Sequence, residues 1–352
     1  MGKYVVGDEF EVRKATNEDY GWTIDQYNTE NVKPILGSLS EYTMLFPEGI
    51  DGKPIYYFRH MQPTLTRWSG FTNLGDGPLE PQKGGHFLDL AQRDVKVIPY
   101  CEDPDNPNKH IIKAEDDSFE VSFEDRKTHW REGKNGEILD LYGEPFIDPA
   151  MFANAKSAFS TNWFMQPTIF QGTYEGKTVI GLGQYDRSFW DVDVLKQTAK
   201  ELAASGATTY VLQIFHGIRE DGRRETFCCQ MKPFLNGWGT GFYYLEGEEP
   251  IVTNQFDFEA EWHHLPYLPG DERVVYINSV MRFADKEIHF NGHWGSIGFF
   301  DRPRFDRLGQ THIFGTWYEG KTPYKHKLYG TFCENMDAYD YNIRKAGWTI
   351  VD

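Results

Sequence analysis

Short aromatic segments separated by glycine, proline and aspartate recur along most of this chain of 352 residues. In the C-terminal half these segments follow one another at short intervals, each bounded by a turn signal, which is typical of strands in β-sandwiches and β-barrels. Aromatic residues make up 16% of the chain and glycine occurs 34 times, which favours strands joined by tight turns. The pattern predicts an all-β protein.

The clearest local signal is a β-hairpin over residues 168–190. Two apolar, aromatic-rich runs flank Glu175-Gly176-Lys177, where Gly176 can adopt the positive φ of a tight turn. Similar turns are predicted at Asp51-Gly52-Lys53 and Glu319-Gly320-Lys321. The second strand of the hairpin ends in a polar and aromatic cluster that includes Asp186, although aspartate is poorly suited to strands. This cluster is therefore either a structural ion pair with Arg187 or part of a site.

Internal echoes predict two related β-domains. Met61–Thr64 recurs as Met165–Thr168, and Gly172–Thr178 recurs as Gly315–Thr322 with one inserted tryptophan. We expect an N-terminal β-barrel domain over 1–190, which includes an irregular arm over about 1–45, and a C-terminal β-barrel domain over 207–352. Residues 191–206 between them predict a helical connection, with a capping Asp191 and a terminating Gly206.

Charge and cysteine usage exclude several classes of protein. The net charge of −17 disfavours nucleic acid and anionic membranes as partners. No apolar run reaches the length of about 18 residues that a membrane span requires, and the N-terminus lacks the apolar core of a signal peptide. The four cysteines contain no Cys-x-x-Cys pair, so neither a zinc framework nor a dense disulfide scaffold is indicated. We expect a cytoplasmic protein without a membrane span.

The stretch Gly181-Leu182-Gly183-Gln184-Tyr185-Asp186-Arg187-Ser188-Phe189-Trp190 resembles the Gly-x-Gly-x-x-Asp-(Arg/His)-Ser-(Trp) strand of the two-domain lipocalin-like (calycin) proteins. That family includes hydroxyneurosporene synthase (a carotenoid hydratase), kievitone hydratase and lipocalin-like Diels–Alderases. The resemblance implies two lipocalin-like antiparallel β-barrels in tandem and chemistry on a hydrophobic small molecule. The short helix predicted at about 191–205 would lie between or beside the barrels. Carotenoid hydratases use a His/Trp pair and a Tyr-x-Asp pair. Here Tyr185 and Asp186 are adjacent, and the best His/Trp pair is His293-Trp294.

Asp186 is the main catalytic candidate, as a proton donor or acceptor. A carboxyl group in an aromatic cavity favours its neutral form, which suits a general acid. Because strand residues alternate between faces, Gln184 and Ser188 should accompany Asp186, whereas Tyr185 and Arg187 should lie on the other face. The face that Asp186 occupies therefore decides whether it belongs to a site or to an ion pair.

The remaining candidates surround this strand or echo it. Tyr185, His293 and His60 are further catalytic candidates, with His216 as a substrate contact or, alternatively, a core histidine. The other expected substrate contacts are Trp163, Gln166, Gln184, Ser188, Trp238, Trp262 and Trp294. No metal-binding or nucleotide-binding motif occurs, so no cofactor is expected.

These residues predict a cofactor-free acid/base enzyme: a hydratase or dehydratase, an isomerase or a cyclase. Its substrate would be a hydrophobic small molecule, such as an isoprenoid or polyketide-like compound of secondary metabolism. One alternative is a non-catalytic carrier of a hydrophobic ligand. A further alternative is a carbohydrate-active β-sandwich, which would need two carboxylates about 5–9.5 Å apart across a cleft.

Overall fold

A computed structural model describes the backbone of most of the chain. The described residues are 2–5, 10–15, 35–50, 52–62, 67–74, 97–103, 106–124, 126–154, 162–191, 210–232, 238–253, 255–265, 272–292, 298–301, 309–313, 315–319, 322–323, 326–336 and 338–351.

In chain order the strands are β1 (Gly2–Val5), β2 (Phe10–Lys14), β3 (Ile35–Ile50), β4 (Lys53–Gln62), β5 (Arg67–Leu74), β6 (Val97–Asp103), β7 (Asn106–Ala114), β8 (Phe119–Glu124), β9 (Lys127–Glu132), β10 (Leu139–Pro145), β11 (Ala150–Asn154), β12 (Asn162–Tyr174), β13 (Lys177–Asp191), β14 (Tyr210–Arg219), β15 (Arg224–Lys232), β16 (Trp238–Leu245), β17 (Ile251–Thr253), β18 (Gln255–His264), β19 (Val274–Phe283), β20 (Lys286–Gly292), β21 (Gly298–Asp301), β22 (Gly309–Ile313), β23 (Gly315–Glu319), β24 (Thr322–Pro323) and β25 (His326–Met336). A short helix, α1, spans Asp340–Lys345.

Within the described residues, the strands form antiparallel sheets of 12, 7 and 6 strands. The 12-stranded sheet runs β5-β4-β3-β13-β12-β10-β9-β8-β7-β6, with β11 pairing to β12 and β2 to β11. The 7-stranded sheet runs β17-β16-β15-β14-β25-β22-β21, and the 6-stranded sheet runs β1-β18-β19-β20-β23-β24. The predicted all-β class is confirmed. No helix among the described residues is long and apolar enough to cross a membrane.

The chain divides into two units. We call residues 11–72 and 89–195 the N-terminal unit, and residues 1–10, 73–88 and 196–352 the C-terminal unit. The sequence pattern assigned residues 1–10 to the N-terminal half, but β1 adds to the edge of β18 through the pairing of Gly2 with Phe258. The predicted helical connection lies, from residue 192 onward, outside the described residues.

The acidic-Gly-Lys sequences all connect antiparallel strands. They join β3 to β4, β12 to β13 and β23 to β24. Gly52 and Gly176 both have φ of 76°, a conformation in which glycine has no Cβ to clash. Glu175 also has positive φ, as a two-residue type I′ hairpin loop requires.

The 12-stranded sheet curls back on itself. Strands β4 and β9 are five positions apart in its order, so in a flat sheet they would lie about 24 Å apart. Instead, Trp130 of β9 donates a hydrogen bond from Nε1 to the hydroxyl oxygen of Tyr57 in β4, at 2.8 Å. The rings of Phe123 in β8 and Tyr185 in β13 likewise approach to 5.0 Å between centroids. We call the face enclosed by this curl the interior face.

Close packing fills the interior face near Gly143. A Cβ atom added there would lie 2.3 Å from Thr128 Oγ1, 2.8 Å from Thr168 Cγ2 and 2.9 Å from Phe170 Cε1. Such contacts are shorter than real Cβ atoms make, so only glycine fits between these side chains.

The C-terminal unit has a core shared by its two sheets. Phe227 of the 7-stranded sheet stacks on Phe283 of the 6-stranded sheet, with ring centroids 5.3 Å apart. Trp262 is fully buried and stacks on Trp348, which follows α1, at 5.2 Å. The end of the chain thereby completes this core.

The irregular arm expected over residues 1–45 is corrected in part. Strand β3 begins at Ile35 and lies centrally in the 12-stranded sheet, between β4 and β13. The residues Gly37, Ser38 and Ser40 have low strand propensity, which hid this strand from pattern analysis. From Ser40 onward β3 pairs with both β4 and β13, and at Ile35 and Leu36 it pairs with β13. This pairing satisfies the backbone of those residues despite the low propensity of the segment.

Candidate active site

Strand β13 presents Asp186 and Tyr185 on opposite faces of its sheet. Tyr185 lies on the interior face, where its ring contacts Phe123 and, at 6.4 Å between centroids, Phe164. Asp186 lies on the other face, because successive strand residues alternate. The two residues are both 1% exposed, but they do not share one site.

Asp186 is hydrogen-bonded by a neighbour on its own strand and face. Gln184 donates from Nε2 to Asp186 Oδ2 at 2.6 Å. Gln184 is itself 1% exposed. Met165 of β12 lies directly opposite Asp186 and is fully buried. The carboxyl group therefore sits in a dry setting that combines an amide donor with apolar surface.

The register of the sheet aligns Asp186 with two other ionisable residues. Asp186 of β13 pairs with Glu41 of β3, and Glu41 pairs with His60 of β4. Directly paired residues in an antiparallel ladder lie about 4.5–5.5 Å apart and share one face. His60 and Asp186 were both predicted as catalytic residues from separate parts of the sequence. The fold places them two strands apart on one line, with Glu41, which sequence analysis did not single out, between them.

Two further predicted residues share this face. Trp163 of β12 pairs with Ser188 of β13, one ladder step on the same face beyond the pair of Met165 with Asp186. Trp163 is 5% exposed, so its ring belongs to the buried surface near Asp186. We call the set Trp163, Met165, Gln184 and Asp186, together with the register positions Glu41, His60 and Ser188, the Asp186 face.

Gln166 lies on the interior face instead, opposite Tyr185 in the ladder. Its Nε2 donates to the backbone oxygens of Ile147 at 3.1 Å and Pro167 at 2.8 Å. The bond to Ile147 attaches the segment between β10 and β11 to strand β12. Gln166 was predicted as a substrate contact, and its described hydrogen bonds are to the protein's own backbone.

The interior face contains a polar chain that sequence analysis missed. Trp130 donates to the hydroxyl oxygen of Tyr57, and Tyr57 donates to Glu132 Oε1. Glu132 is 4% exposed. The sequence signal was weak. Alternation places Trp130 and Glu132 on one face, but a carboxylate in a strand is normally expected to face solvent. Its burial becomes predictable only when the partner strand β4 is known.

A second buried carboxylate lies in the C-terminal unit. Glu225 of β15 accepts hydrogen bonds from Arg219 Nε at 2.9 Å and from the Tyr243 hydroxyl at 3.0 Å, while Oε1 contacts His326 Nε2. Burial by itself raises the pKa of Glu225, but the His326 and Arg219 hydrogen bonds and the positive charges outweigh it and hold this pKa below its ordinary value. The cluster ties together strands β14, β15, β16 and β25 at one end of their sheet.

His216 and Trp262 occupy core positions. His216 is 1% exposed, its Nδ1 lies 2.7 Å from Thr226 Oγ1, and burial lowers its pKa to about 3. It is therefore a neutral side chain of the packed sheet. Trp262 belongs to the stacked core described above. For Trp238 the structure describes only the backbone, at the start of β16, and His293 and Trp294 lie outside the described residues.

Metal-ligating side chains do not cluster in the part of the chain that the structure describes. No group of three or more His, Cys, Asp or Glu residues there is placed to hold an ion. The side chains of Cys228, Cys229 and Cys333 are buried and form no disulfide.

Comparison with known proteins finds similarity at the level of structure. Neither a known protein family nor a curated sequence matches the chain. A protein named as AttH from Nitrosomonas europaea is 11% identical, with 87% of this chain and 93% of that one covered and a TM-score of 0.49. Kievitone hydratase from Nectria haematococca is 12% identical, with 86% and 89% covered and a TM-score of 0.36. CghA is 11% identical, with 86% and 89% covered and a TM-score of 0.41.

Proposed function

We propose that this protein is a cofactor-free acid/base enzyme that acts on a hydrophobic small molecule at the Asp186 face. The reaction would be the addition or removal of water, or the isomerisation or cyclisation of an unsaturated carbon skeleton. The observation that carries the proposal is the ladder register that aligns Asp186, Glu41 and His60. The resemblance of residues 181–190 to the strand of lipocalin-like hydratases supports it.

Paired carboxyl groups suit this chemistry. Two carboxylates that share a site repel each other, so one of the pair retains its proton while the other is ionised. In a hydration, the protonated member, assigned here to Asp186 or Glu41, gives its proton to one alkene carbon. Water bonds to the other carbon, and the ionised member or His60 takes the proton that the water loses. Dehydration is the reverse, and isomerisation uses the same donor and acceptor at two carbons.

The apolar neighbours of Asp186 suit a hydrophobic substrate. Met165 is fully buried and Trp163 is 5% exposed, and both share the face of Asp186. An indole ring can stabilise cationic character that develops on carbon, and exclusion of water strengthens such an interaction. A saccharide cleft is less well supported, since it needs two carboxylates across an open groove and Asp186 is 1% exposed.

We also propose that the protein is located in a reducing compartment, which we expect to be the cytoplasm. The buried thiols Cys229 and Cys333 are not joined to each other or to Cys228. Burial raises the pKa of both Cys229 and Cys333, which keeps them protonated and unreactive.

Asp186→Asn tests the proposal. Purified protein is incubated with an extract of apolar metabolites, and mass spectrometry detects compounds that gain or lose water or change retention at constant mass. We expect Asp186→Asn, Glu41→Gln and His60→Gln each to reduce turnover at least about 100-fold, the usual contribution of general acid–base catalysis. An apolar compound that co-purifies with the wild-type protein should also co-purify with Asp186→Asn.

Glu132→Gln is the matched control, because Glu132 is a buried carboxylate on the opposite face of the same sheet. It should retain turnover if it folds, which circular dichroism checks. Full activity of Asp186→Asn would remove Asp186 from the mechanism. Tight binding of a compound that the wild-type protein leaves unchanged would favour a carrier and overturn the enzymatic proposal.

A further inference from the structure

Gln184 is placed to act on Asp186 rather than on a substrate. The two residues are separated by one position on β13, so they share a face. The Gln184 amide nitrogen donates to Asp186 Oδ2 at 2.6 Å, and both side chains are 1% exposed. A hydrogen bond to a charged group in such a dry setting is stronger than one at the surface.

The backbone around Gln184 is fixed from both sides. Gln184 pairs with Pro167 of β12 and with Thr43 of β3. Because β13 is held on both sides, the Gln184 side chain starts from a fixed backbone. It therefore loses little further conformational freedom when it bonds to Asp186. The donor on one carboxylate oxygen sets the plane of the carboxyl group and favours its ionised form.

We propose that Gln184 is a positioning residue for Asp186. Its hydrogen bond holds the Asp186 carboxyl group in one orientation and favours the ionised form of that group. This inference deepens the proposed function and rests on it for its consequence in catalysis. The ladder partners of Asp186 on the neighbouring strands are Glu41 on β3 and Met165 on β12.

Infrared spectroscopy tests this role without any substrate. The carboxyl band of Asp186 is assigned by its loss in Asp186→Asn and is then followed across pH. Gln184→Met keeps the length of the side chain but removes the donor. We expect the midpoint of the Asp186 band to move upward by about one to two pH units, which corresponds to the loss of one hydrogen bond to a charged group.

Gln166→Met is the control, because Gln166 is also a buried glutamine with amide hydrogen bonds but lies on the interior face. It should leave the Asp186 midpoint unchanged. If Gln184→Met does not fold, the isosteric Gln184→Glu should also raise the midpoint, because it adds a like charge. An unchanged midpoint in a folded Gln184 variant would overturn the inference.

The turnover of Asp186→Asn separates this inference from the proposed function. Full turnover in that variant would reject the catalytic role of Asp186, while the band shift would still decide whether Gln184 governs its proton. Conversely, an inactive Asp186→Asn combined with an unshifted band in Gln184→Met would reject only the role of Gln184.

Discussion

Tyr57 of β4 donates its hydroxyl hydrogen to Glu132 of β9, although 75 residues separate them along the chain. The same hydroxyl oxygen accepts a hydrogen bond from Trp130. The bond closes the curled sheet across its interior, since the two strands are five positions apart in the sheet order. It satisfies a carboxylate that is 4% exposed.

Tyr57→Phe should therefore destabilise the N-terminal unit. The change removes one partner from both Glu132 and Trp130 while it keeps the ring, and a lost buried hydrogen bond of this kind costs about 1–3 kcal/mol. Urea unfolding followed by tryptophan fluorescence measures the loss. Tyr142→Phe is the control, because Tyr142 is 55% exposed and should lose less than about 0.5 kcal/mol. Equal stability of the two variants would contradict the role of the Tyr57 hydroxyl.

Glu225 should make the free energy of unfolding of the C-terminal unit decrease at acid pH. Its pKa in the folded chain lies below the ordinary value of 4.5, so the unfolded chain binds the proton first as the pH falls. The stabilisation is complete above pH 4.5 and is lost as the pH falls through the folded-state pKa. Urea unfolding at several pH values measures this dependence.

Glu225→Gln should cost about 3 kcal/mol at neutral pH, because Arg219 loses its buried counter-charge. The difference from wild type should shrink below pH 4.5. Glu248→Gln serves as the control, since its side chain is 51% exposed. A difference between Glu225→Gln and wild type that stays constant down to the acid transition would show that the carboxylate charge is not the source of the stabilisation.

His216 should resist protonation over a wide range of pH. Burial lowers its pKa to about 3, whereas a histidine in the unfolded chain binds a proton below about pH 6.5. Stability should thus fall as the pH decreases from about 6.5 toward 3, with a slope of about 1.4 kcal/mol per pH unit from this group. NMR should show unshifted His216 ring resonances between pH 7 and 5, with titration in urea as the reference. A ring that titrates near 6.5 in the folded protein would contradict its burial as a neutral group.

Gly143→Ala should strain the interior face. The new Cβ atom would meet Thr128 Oγ1 at 2.3 Å and Phe170 Cε1 at 2.9 Å, and overpacking of this kind costs about 1–3 kcal/mol. Thermal unfolding measures the effect, and adding Thr128→Ala should recover part of it. Glu144→Ala at the adjacent exposed position is the control, since its ion pair with Lys127 is at the surface and contributes little.

Local features of the fold could be predicted where they depend on adjacent residues. The turn at Glu175 and Gly176 follows from the conformations that glycine permits, and the structure has the expected positive φ at Gly176. Glu175 also has positive φ, which the sequence did not predict. Alternation along β8 places Phe119, Val121 and Phe123 on one face, and the structure buries all three. The placement of Asp186 and Tyr185 on opposite faces follows from the same alternation.

Strand β3 shows why other features could not be predicted. Its first residues include Gly37, Ser38 and Ser40, and the sequence predicted an irregular arm over about 1–45, although β3 begins at Ile35. Because β13 pairs with the start of β3 at Ile35 and Leu36, and both β4 and β13 pair with it from Ser40 onward, tertiary pairing overrides the local propensity. Because the sequence did not predict this part of β3, it could not place Glu41 beside Asp186 in the candidate site.

The sequence by itself determined the all-β class, the positions of tight turns and which residues of a strand share a face, because these depend on local backbone preferences and on the two-residue period of a strand. Only the tertiary structure decided which strands are neighbours and in what register. That choice depends on contacts between residues far apart in the chain, where burial of apolar surface and completion of backbone hydrogen bonds outweigh the entropy of closing long loops. It aligns Asp186 with Glu41 and His60, and it brings Tyr57 to Glu132.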